Sequence, residues 1–360
     1  MRLGLVLGFA PGAALGIGRF AYALVLPAMQ ESLGLSFSQA GLLGSANTAG
    51  YLVGALLSYQ LLYAMTFRRG LFLALTLQFL SLLLLGFTET LWLLMVLRFA
   101  QGFFGGIIFV GGAALVLASG GKALALGFYF GGVGIGICLS PVSLLFSADW
   151  QHTWTYLSFL SLGMSLLPLL AYPRLSEPAP RELGQGTGLA AIRLELIAYG
   201  LYGAGYIGYM TFVTTGLEMN LSPFWLVLGV GAALNGVVWG KVIERLGGGL
   251  GLVLVLGTLA ISSFYPLLQV TPYLSAFLFG LSFLGVITAI SDLFRQRLEA
   301  SQWAQAMGLS TAVFALGQAL GPSLSGFAGD LYKGPIGALG LSTSLLVLAV
   351  LCVLNGAFKK

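Results

Sequence analysis

Long apolar stretches, separated by short polar or glycine- and proline-rich breaks, divide the chain into twelve segments. They lie near residues 4–28, 38–63, 70–88, 91–117, 122–146, 152–172, 190–214, 222–243, 249–269, 273–294, 303–328 and 334–357. Each is long enough to cross a bilayer core about 30 Å thick, which takes roughly 20 residues of helix. Lipid offers the backbone no hydrogen-bond partner, so the segments must be helices. The pattern predicts an all-α integral membrane protein with 12 transmembrane helices. Composition agrees: 58% of the 360 residues are hydrophobic and 8% charged, with mean hydropathy +0.97, against about 25% charged in a soluble globular chain. The first segment is broken by glycines and interrupted by Arg19, and no small-residue cleavage site precedes a polar start. It reads as the first span rather than a secretory leader.

Positive charge orients the spans. With both termini inside, the inner segments hold Arg2, Arg68, Arg69, Lys122, Arg174, Arg181, Arg193, Lys241, Arg245, Arg295, Arg297, Lys359 and Lys360, and the outer loops hold only Lys333. The net charge of +5 then reflects topology, and no nucleic-acid partner is needed to explain it. Trp92, Trp150, Trp154 and Trp225 fall near outer ends, and Trp239 and Trp303 near inner ends, which predicts an interfacial belt.

The stretch PRLSEPAPRELGQGTG (173–188) is a proline- and glycine-rich break of mixed charge. It reads as a cytoplasmic linker over 173–189, between a six-helix half (1–172) and a second half (190–360). Gly127, Gly136 and Pro141 recur 181 residues later as Gly308, Gly317 and Pro322, and Leu35, Ser36, Gly50 and Gly54 recur 186 residues later as Leu221, Ser222, Gly236 and Gly240. Two pseudo-symmetric halves suggest a transporter that rocks around a central site. On this register Gly205 stands opposite Arg19 and Gly280 opposite Arg98.

Several motifs point to one family. RFAQG (98–102) resembles the R-x-x-Q-G motif of the fourth span in the major facilitator superfamily, and GVVWGKVIERLGG (236–248) resembles its G-x-x-x-G/D-x-x-x-D-R-x-G loop. GPSLSGFAGD (321–330) looks like the end of its eleventh span. GIGRFAYALVLPAMQESLGLSFSQAGLLGSANTAGYLVGALL (from Gly16) and YGLYGAGYIGYMTFV (199–213) are similar to its YbfB/YjiJ-like branch. The resemblance covers essentially the whole chain. It implies the major facilitator fold, no enzyme activity, and gating or coupling roles for Arg98, Glu244, Arg245 and Asp330. Two departures stand out: AMTFRRG (64–70) lacks the aspartate usual between spans 2 and 3, and Ser140 replaces the glycine usual before Pro141 in span 5.

The candidate chemistry centres on two arginines. Arg19 lies about 15 residues, or roughly 22 Å, into the first span, with Tyr22 three residues on along the same face. Arg98 has Gln101 on its face. None of the 11 acidic residues maps to the depth of a span. A charge buried in lipid needs carbonyls, water or a ligand, and an arginine fork matches carboxylate or phosphate. Arg19 therefore contacts an anionic substrate, holds the frame, or snorkels to an interface; Arg98 contacts substrate or serves structure and coupling. Tyr199, Tyr202, Tyr206 and Tyr209 are spaced as one helical stripe, either a cavity lining or a packing face. Asn47, Asn235 and Gln318 are further candidates for substrate contact, or interhelical glue.

These features imply a secondary transporter of the cytoplasmic (inner) membrane, a multi-pass monomer working by alternating access. Its substrate is a small organic anion or polar metabolite, and protons are the candidate coupling ion. The alternative is proton-coupled efflux of drugs or metabolites. No G-x-x-x-x-G-K-[ST] loop occurs, which argues against ATP-driven transport. A single histidine, His152, argues against a histidine metal site, and Cys138 and Cys352 read as buried apolar residues. No catalytic residue, cofactor or metal is expected. The Asp149–His152 pair is an interfacial loop pair.

Overall fold

A computed structural model describes residues 2–120, 123–147, 149–172, 175–176, 192–216, 220–268, 272–299 and 302–357. The expected linker 173–189 lies outside the described residues apart from Leu175 and Ser176, and so do Lys122, Arg174, Glu177, Arg181, Glu182, Glu218, Lys359, Lys360 and the side chains of Arg2 and Trp303.

The apolar segments are helices: α1 (Leu3–Leu33), α2 (Phe37–Ala64), α3 (Phe67–Leu85), α4 (Leu91–Ala118), α5 (Ala125–Leu145), α6 (Trp150–Ala171) and α7 (Arg193–Thr215). The stretch Leu221–Phe264 is two helices meeting at Gly247, whose φ of 79° and ψ of 161° suit only glycine. Its arms are α8 (221–246) and α9 (248–264). Then come α10 (Pro272–Arg297), α11 (Trp303–Leu331) and α12 (Pro335–Ala357). Twelve helices thus match the expected spans among the described residues, where ten stretches, with Leu221–Phe264 counted once, are long and apolar enough to cross a membrane.

Glycines set how closely these helices approach. A Cβ on Gly136 would collide with the Gly12 carbonyl, joining α5 to α1, and one on Gly102 with the Asn47 carbonyl, joining α4 to α2. The second half repeats both contacts. Gly317 of α11 lies on the Gly200 carbonyl of α7, and Gly280 of α10 on the Leu228 carbonyl of α8. This register corrects part of the sequence alignment. The 181-residue offset holds for α5 and α11, but Gly102 rather than Arg98 faces Gly280 in the pseudo-symmetric position. Gly12 pairs with Gly200, so Arg19 corresponds to Ile207 and Arg98 to Ala276. Gly50 and Gly54 lie on the backbone of Phe99 and Phe103, whereas Gly236 and Gly240 meet no atom within 4 Å. Matching glycines by sequence offset therefore equated a packed pair with an open one. The conclusion that both buried cations belong to the first half is unchanged.

The halves meet at one end of the bundle. Gly41 lies on the Pro322 carbonyl and Gly326 on the Phe37 carbonyl. Thr48 Oγ1 donates to the Gln318 carbonyl (2.9 Å), and the Ser323 and Ser45 hydroxyls are 2.8 Å apart. On the other flank Gly134 of α5 abuts Ala233 of α8, and Gly229 abuts Cys138. These ties, with the Asp330 bonds to Phe37 and Ser38, lie between mid-membrane and the end that carries residues 34 and 334. Toward the opposite end Gly127, Gly236, Gly240 and Gly308 face open space.

Trp150, Trp154, Trp225 and Trp239 are buried between helices, and Trp92 is exposed. The expected tryptophan belt is therefore largely an internal one: indoles at these depths fill gaps between helices instead of facing headgroups.

The tightest polar tie at the closed end is Asp330. Its Oδ1 and Oδ2 accept from the Phe37 and Ser38 N–H groups at 2.8 and 2.9 Å, on the positive end of α2. Ser36 and Gln39 complete a capping box there. Asp330→Asn removes a charge worth about 0.3–1 kcal/mol at a helix N-terminus and replaces one of the two accepting oxygens by an NH2 that cannot accept, a further loss of about 0.5–1.5 kcal/mol. With spin labels at the exposed positions Glu31 and Tyr332, the population with this end parted should grow about 4-fold or more in double electron–electron resonance. An unchanged distance distribution would contradict the closure role.

Candidate functional site

The site begins with an irregularity in α1. Residues Gly12–Phe20 are wound as a π-helix directly after Pro11. Proline has no N–H to give to the ladder, and the i→i+5 pattern that follows is the local accommodation commonly found at functional sites. Gly12, Gly16 and Gly18 supply room: a Cβ on Gly16 would crowd Gly136 of α5, and one on Gly18 would meet the Gln78 amide. Side chains from other helices bind the carbonyls of this segment. Gln78 Nε2 donates to the Ala14 carbonyl (3.3 Å), and Arg98 Nη1 to the Gly18 carbonyl (2.9 Å).

Arg98 is held on several sides. It also donates to Gln101 Oε1, as the shared face predicted. Its guanidinium carbon lies 4.4 Å from the Tyr22 ring centroid and 5.8 Å from that of Trp154. The Tyr22 hydroxyl is anchored on the Ala40 carbonyl (2.8 Å). Asn47 Nδ2 donates to both the Arg98 carbonyl and Gln101 Oε1, each at 3.2 Å. The amide orientations follow from these bonds, because Gln101 Oε1 receives two donors. They leave Asn47 Oδ1 buried without a donor.

Arg19 is different. It is 6% exposed, and its Nε and Nη2 are buried with no hydrogen-bond partner. Its neighbours are ring faces: Tyr51 at 5.0 Å and Phe20 at 5.6 Å. Tyr22, expected to share its face, lines the same cavity and lies under Arg98.

Arg19 and Arg98 both line a small cavity at the meeting of the halves, with room for about one water molecule. The first half adds Phe20, Tyr22, Ala23, Gly44, Asn47 and Thr48, and the second adds Ile207, Met210 and Thr211. No carboxylate lines it. Of the expected contacts, Arg19, Tyr22, Asn47 and Arg98 come together here, with Gln101 behind Arg98. Tyr202 and Tyr209 turn to α10, onto the Phe283 carbonyl and the Ser275 hydroxyl. Tyr206 receives a hydrogen bond from Gln318. The tyrosine stripe is thus chiefly a packing face, stacked with Phe314 and Phe279. Asn235 donates to the Leu281 carbonyl and ties α8 to α10. Glu244 and Arg245 are exposed near the Gly247 break, and Asp330 sits at the closed end; none of the three lines the cavity.

Three features escaped sequence reasoning. Gln78, a lone amide in an apolar run, carried a readable signal. Thr48 and Thr211 carried none, since threonines in helices usually bond their own turn. Glu195, expected at the inner side, is buried and paired with Arg297 across α7 and α10.

The sequence matches, over residues 12–354, the family described as "Uncharacterised MFS-type transporter YbfB". It is 25% identical over 244 residues to enterobactin exporter EntS from several Escherichia coli strains, covering 62% of this chain. The chain spans 58% of the length of those relatives. The fold is similar to a mutant form of the nucleoside transporter NupG (TM-score 0.76, 14% identity, 99% of this chain and 100% of that one). It is also similar to a bacterial homologue of the human lysosomal transporter Spinster (TM-score 0.66, 16% identity, 99% and 95%). These similarities show a multi-pass membrane protein with the major facilitator fold, and the relatives named are transporters.

The two arginines should respond oppositely to truncation. Arg98→Ala strands the Gly18 carbonyl and Gln101, and loss of a buried partner costs about 1–3 kcal/mol. Its melting temperature in detergent should fall. Arg19→Ala removes a charge with two unpartnered nitrogens and should leave the melting temperature unchanged or raised. A lower midpoint for Arg19→Ala than for Arg98→Ala would overturn this division of roles.

Proposed function

The chain belongs to the family of YbfB-type transporters in the major facilitator superfamily, and from that premise we propose that it moves a small organic anion by alternating access, with Arg19 as the anchor. One observation carries the reading. A cation buried where the halves meet has two unpartnered nitrogens, and the cavity it lines holds no carboxylate. An isolated buried charge is costly, and an anion arriving in the cavity supplies the acceptors. Nε and Nη2 form one edge of the guanidinium, with two parallel N–H groups that match a carboxylate.

The positive-inside pattern puts the closed end outside, so this conformation opens to the cytoplasm, with both termini cytoplasmic in the inner membrane. The transporter works as a monomer. Asp330 acts as the outer latch, and opening to the outside breaks its two amide bonds. Glu244 and Arg245 act at the cytoplasmic end. Protons are the proposed coupling ion, and anion entry and release do the gating at Arg19.

Efflux of drugs or metabolites is the second reading, favoured by the exporter relatives. A thermal-shift screen in detergent separates the two. A ligand at 100 times its dissociation constant stabilises the folded state by about 2.7 kcal/mol. Carboxylates or phosphates should raise the melting temperature of the wild type and not of Arg19→Ala. If lipophilic cations shift both proteins alike and no anion shifts either, the efflux reading replaces this one.

A further inference from the structure

Among the described residues, neither arginine that lines the cavity is paired with a carboxylate. We infer that a single halide ion, chloride in the cell, binds between Arg19 and Arg98 in this conformation and neutralises them while the halves are closed around it. The inference goes beyond the transported substrate and holds for organic anion transport and for efflux alike.

Three observations lead there. The first is charge. Arg19 and Arg98 are 6% and 2% exposed. The partners of Arg98 are all neutral: the Gly18 carbonyl, Gln101, and the Tyr22 and Trp154 rings. Arg19 meets only the rings of Tyr51 and Phe20. The buried carboxylate of Glu195 is spent on Arg297, and Asp330 is held at the closed end by Phe37 and Ser38. Two buried like charges without a counterion are costly. A water leaves that cost standing, and an anion offsets it. The second is the set of free donors. Nε and Nη2 of Arg19 and Nε of Arg98 are buried without an acceptor, against one unpartnered buried acceptor on the cavity wall, Asn47 Oδ1. A spherical anion accepts from every direction, so one ion serves both guanidiniums, and charge-assisted bonds are about twice as strong as neutral ones. The third is size. Room for about one water suits a monatomic anion, which is only slightly wider than water, and leaves no space for sulfate, phosphate or an organic acid while the halves stay closed. Ile207, Met210 and Thr211 of α7 wall the site from the second half. Parting the halves therefore opens it to solvent, and a larger anion can then displace the halide from Arg19.

The test uses the purified full chain in detergent, exchanged into sodium gluconate, and reads melting temperature and the binding of radioactive chloride by equilibrium dialysis. At matched ionic strength, chloride and bromide should raise the wild-type melting temperature with the logarithm of their concentration, the signature of a ligand bound by the folded state. Sulfate should act only through its general strengthening of burial, and gluconate not at all. Dialysis should find one chloride per chain, displaced by bromide. Arg19→Ala should lose the logarithmic shift and bind chloride at least about tenfold more weakly, the worth of one hydrogen bond to a charged group. Arg19→Lys keeps the charge and should keep a smaller shift. If Arg19→Ala does not fold, the anion series and the stoichiometry on wild type still decide.

Absence of bound chloride, or a stabilisation that gluconate and sulfate share, overturns the inference and assigns the cavity to an ordered water. Chloride bound equally well by Arg19→Ala overturns it by placing the ion elsewhere. A chain that binds no chloride yet is stabilised by carboxylates through Arg19 overturns this inference alone and leaves the anion-transport reading standing. A chain that binds chloride at Arg19 and responds to no organic anion supports it, and efflux then replaces anion transport.

Discussion

The bond from Arg98 to the Gly18 carbonyl organises the centre of this protein. Inside a bilayer, a charge and an unpaired carbonyl are each costly, and here each satisfies the other. The carbonyl is offered because α1 is wound as a π-helix after Pro11. The cation can reach it because Gly18 leaves the approach clear. Tyr22, Gln101 and Asn47 hold Arg98 further, with its Nε left buried and unpartnered. What this arrangement leaves over is Arg19, the next residue along, directed at the cavity with no acceptor on one edge. One arginine is built into the frame, and the other is left for a ligand.

The same economy of small residues shapes the two halves. Glycine-to-carbonyl contacts bind α1 to α5 and α2 to α4, and their counterparts bind α7 to α11 and α8 to α10. Without a hydrophobic drive between helices in lipid, close backbone approach is a main source of cohesion. Between the halves, glycines make close contacts toward one end, and Gly127, Gly236, Gly240 and Gly308 present open surfaces toward the other. Thr48 and Gln318 form the last polar link beside the cavity. Ligand site and closed gate therefore share α2: Asn47 faces the cavity while Thr48, its neighbour, holds the opposite half.

Much of this was legible in the chain. Hydrophobic length gave the twelve spans, and R-x-x-Q-G correctly placed Gln101 against Arg98. The isolation of Arg19 and Arg98 from any carboxylate followed from counting charges, because lipid forbids stray acids at depth. What escaped depends on winding and register. Arg19 and Tyr22, three residues apart, do reach one cavity, but that Tyr22 lies under Arg98 shows only in the packing. For the π-helix, Pro11 with Gly12, Gly16 and Gly18 was the available sign. The tyrosine stripe was visible, but only its surroundings decide that Tyr202 and Tyr209 bond to α10. The tryptophans near span ends pointed to an interface, and most of them turned inward to fill gaps. Single-residue matches aligned Gly54 with Gly240, where helix contacts give a different register.

The central claim is that an anion completes Arg19. The most direct measurement is an experimental structure of the protein with bromide, located by its anomalous signal. The account predicts one site in the cavity between Phe20, Asn47 and Met210, with the ion within hydrogen-bond distance of Arg19 Nε and Nη2. Bromide bound only elsewhere, or on Arg98 with the Arg19 edge still unpartnered, would contradict it.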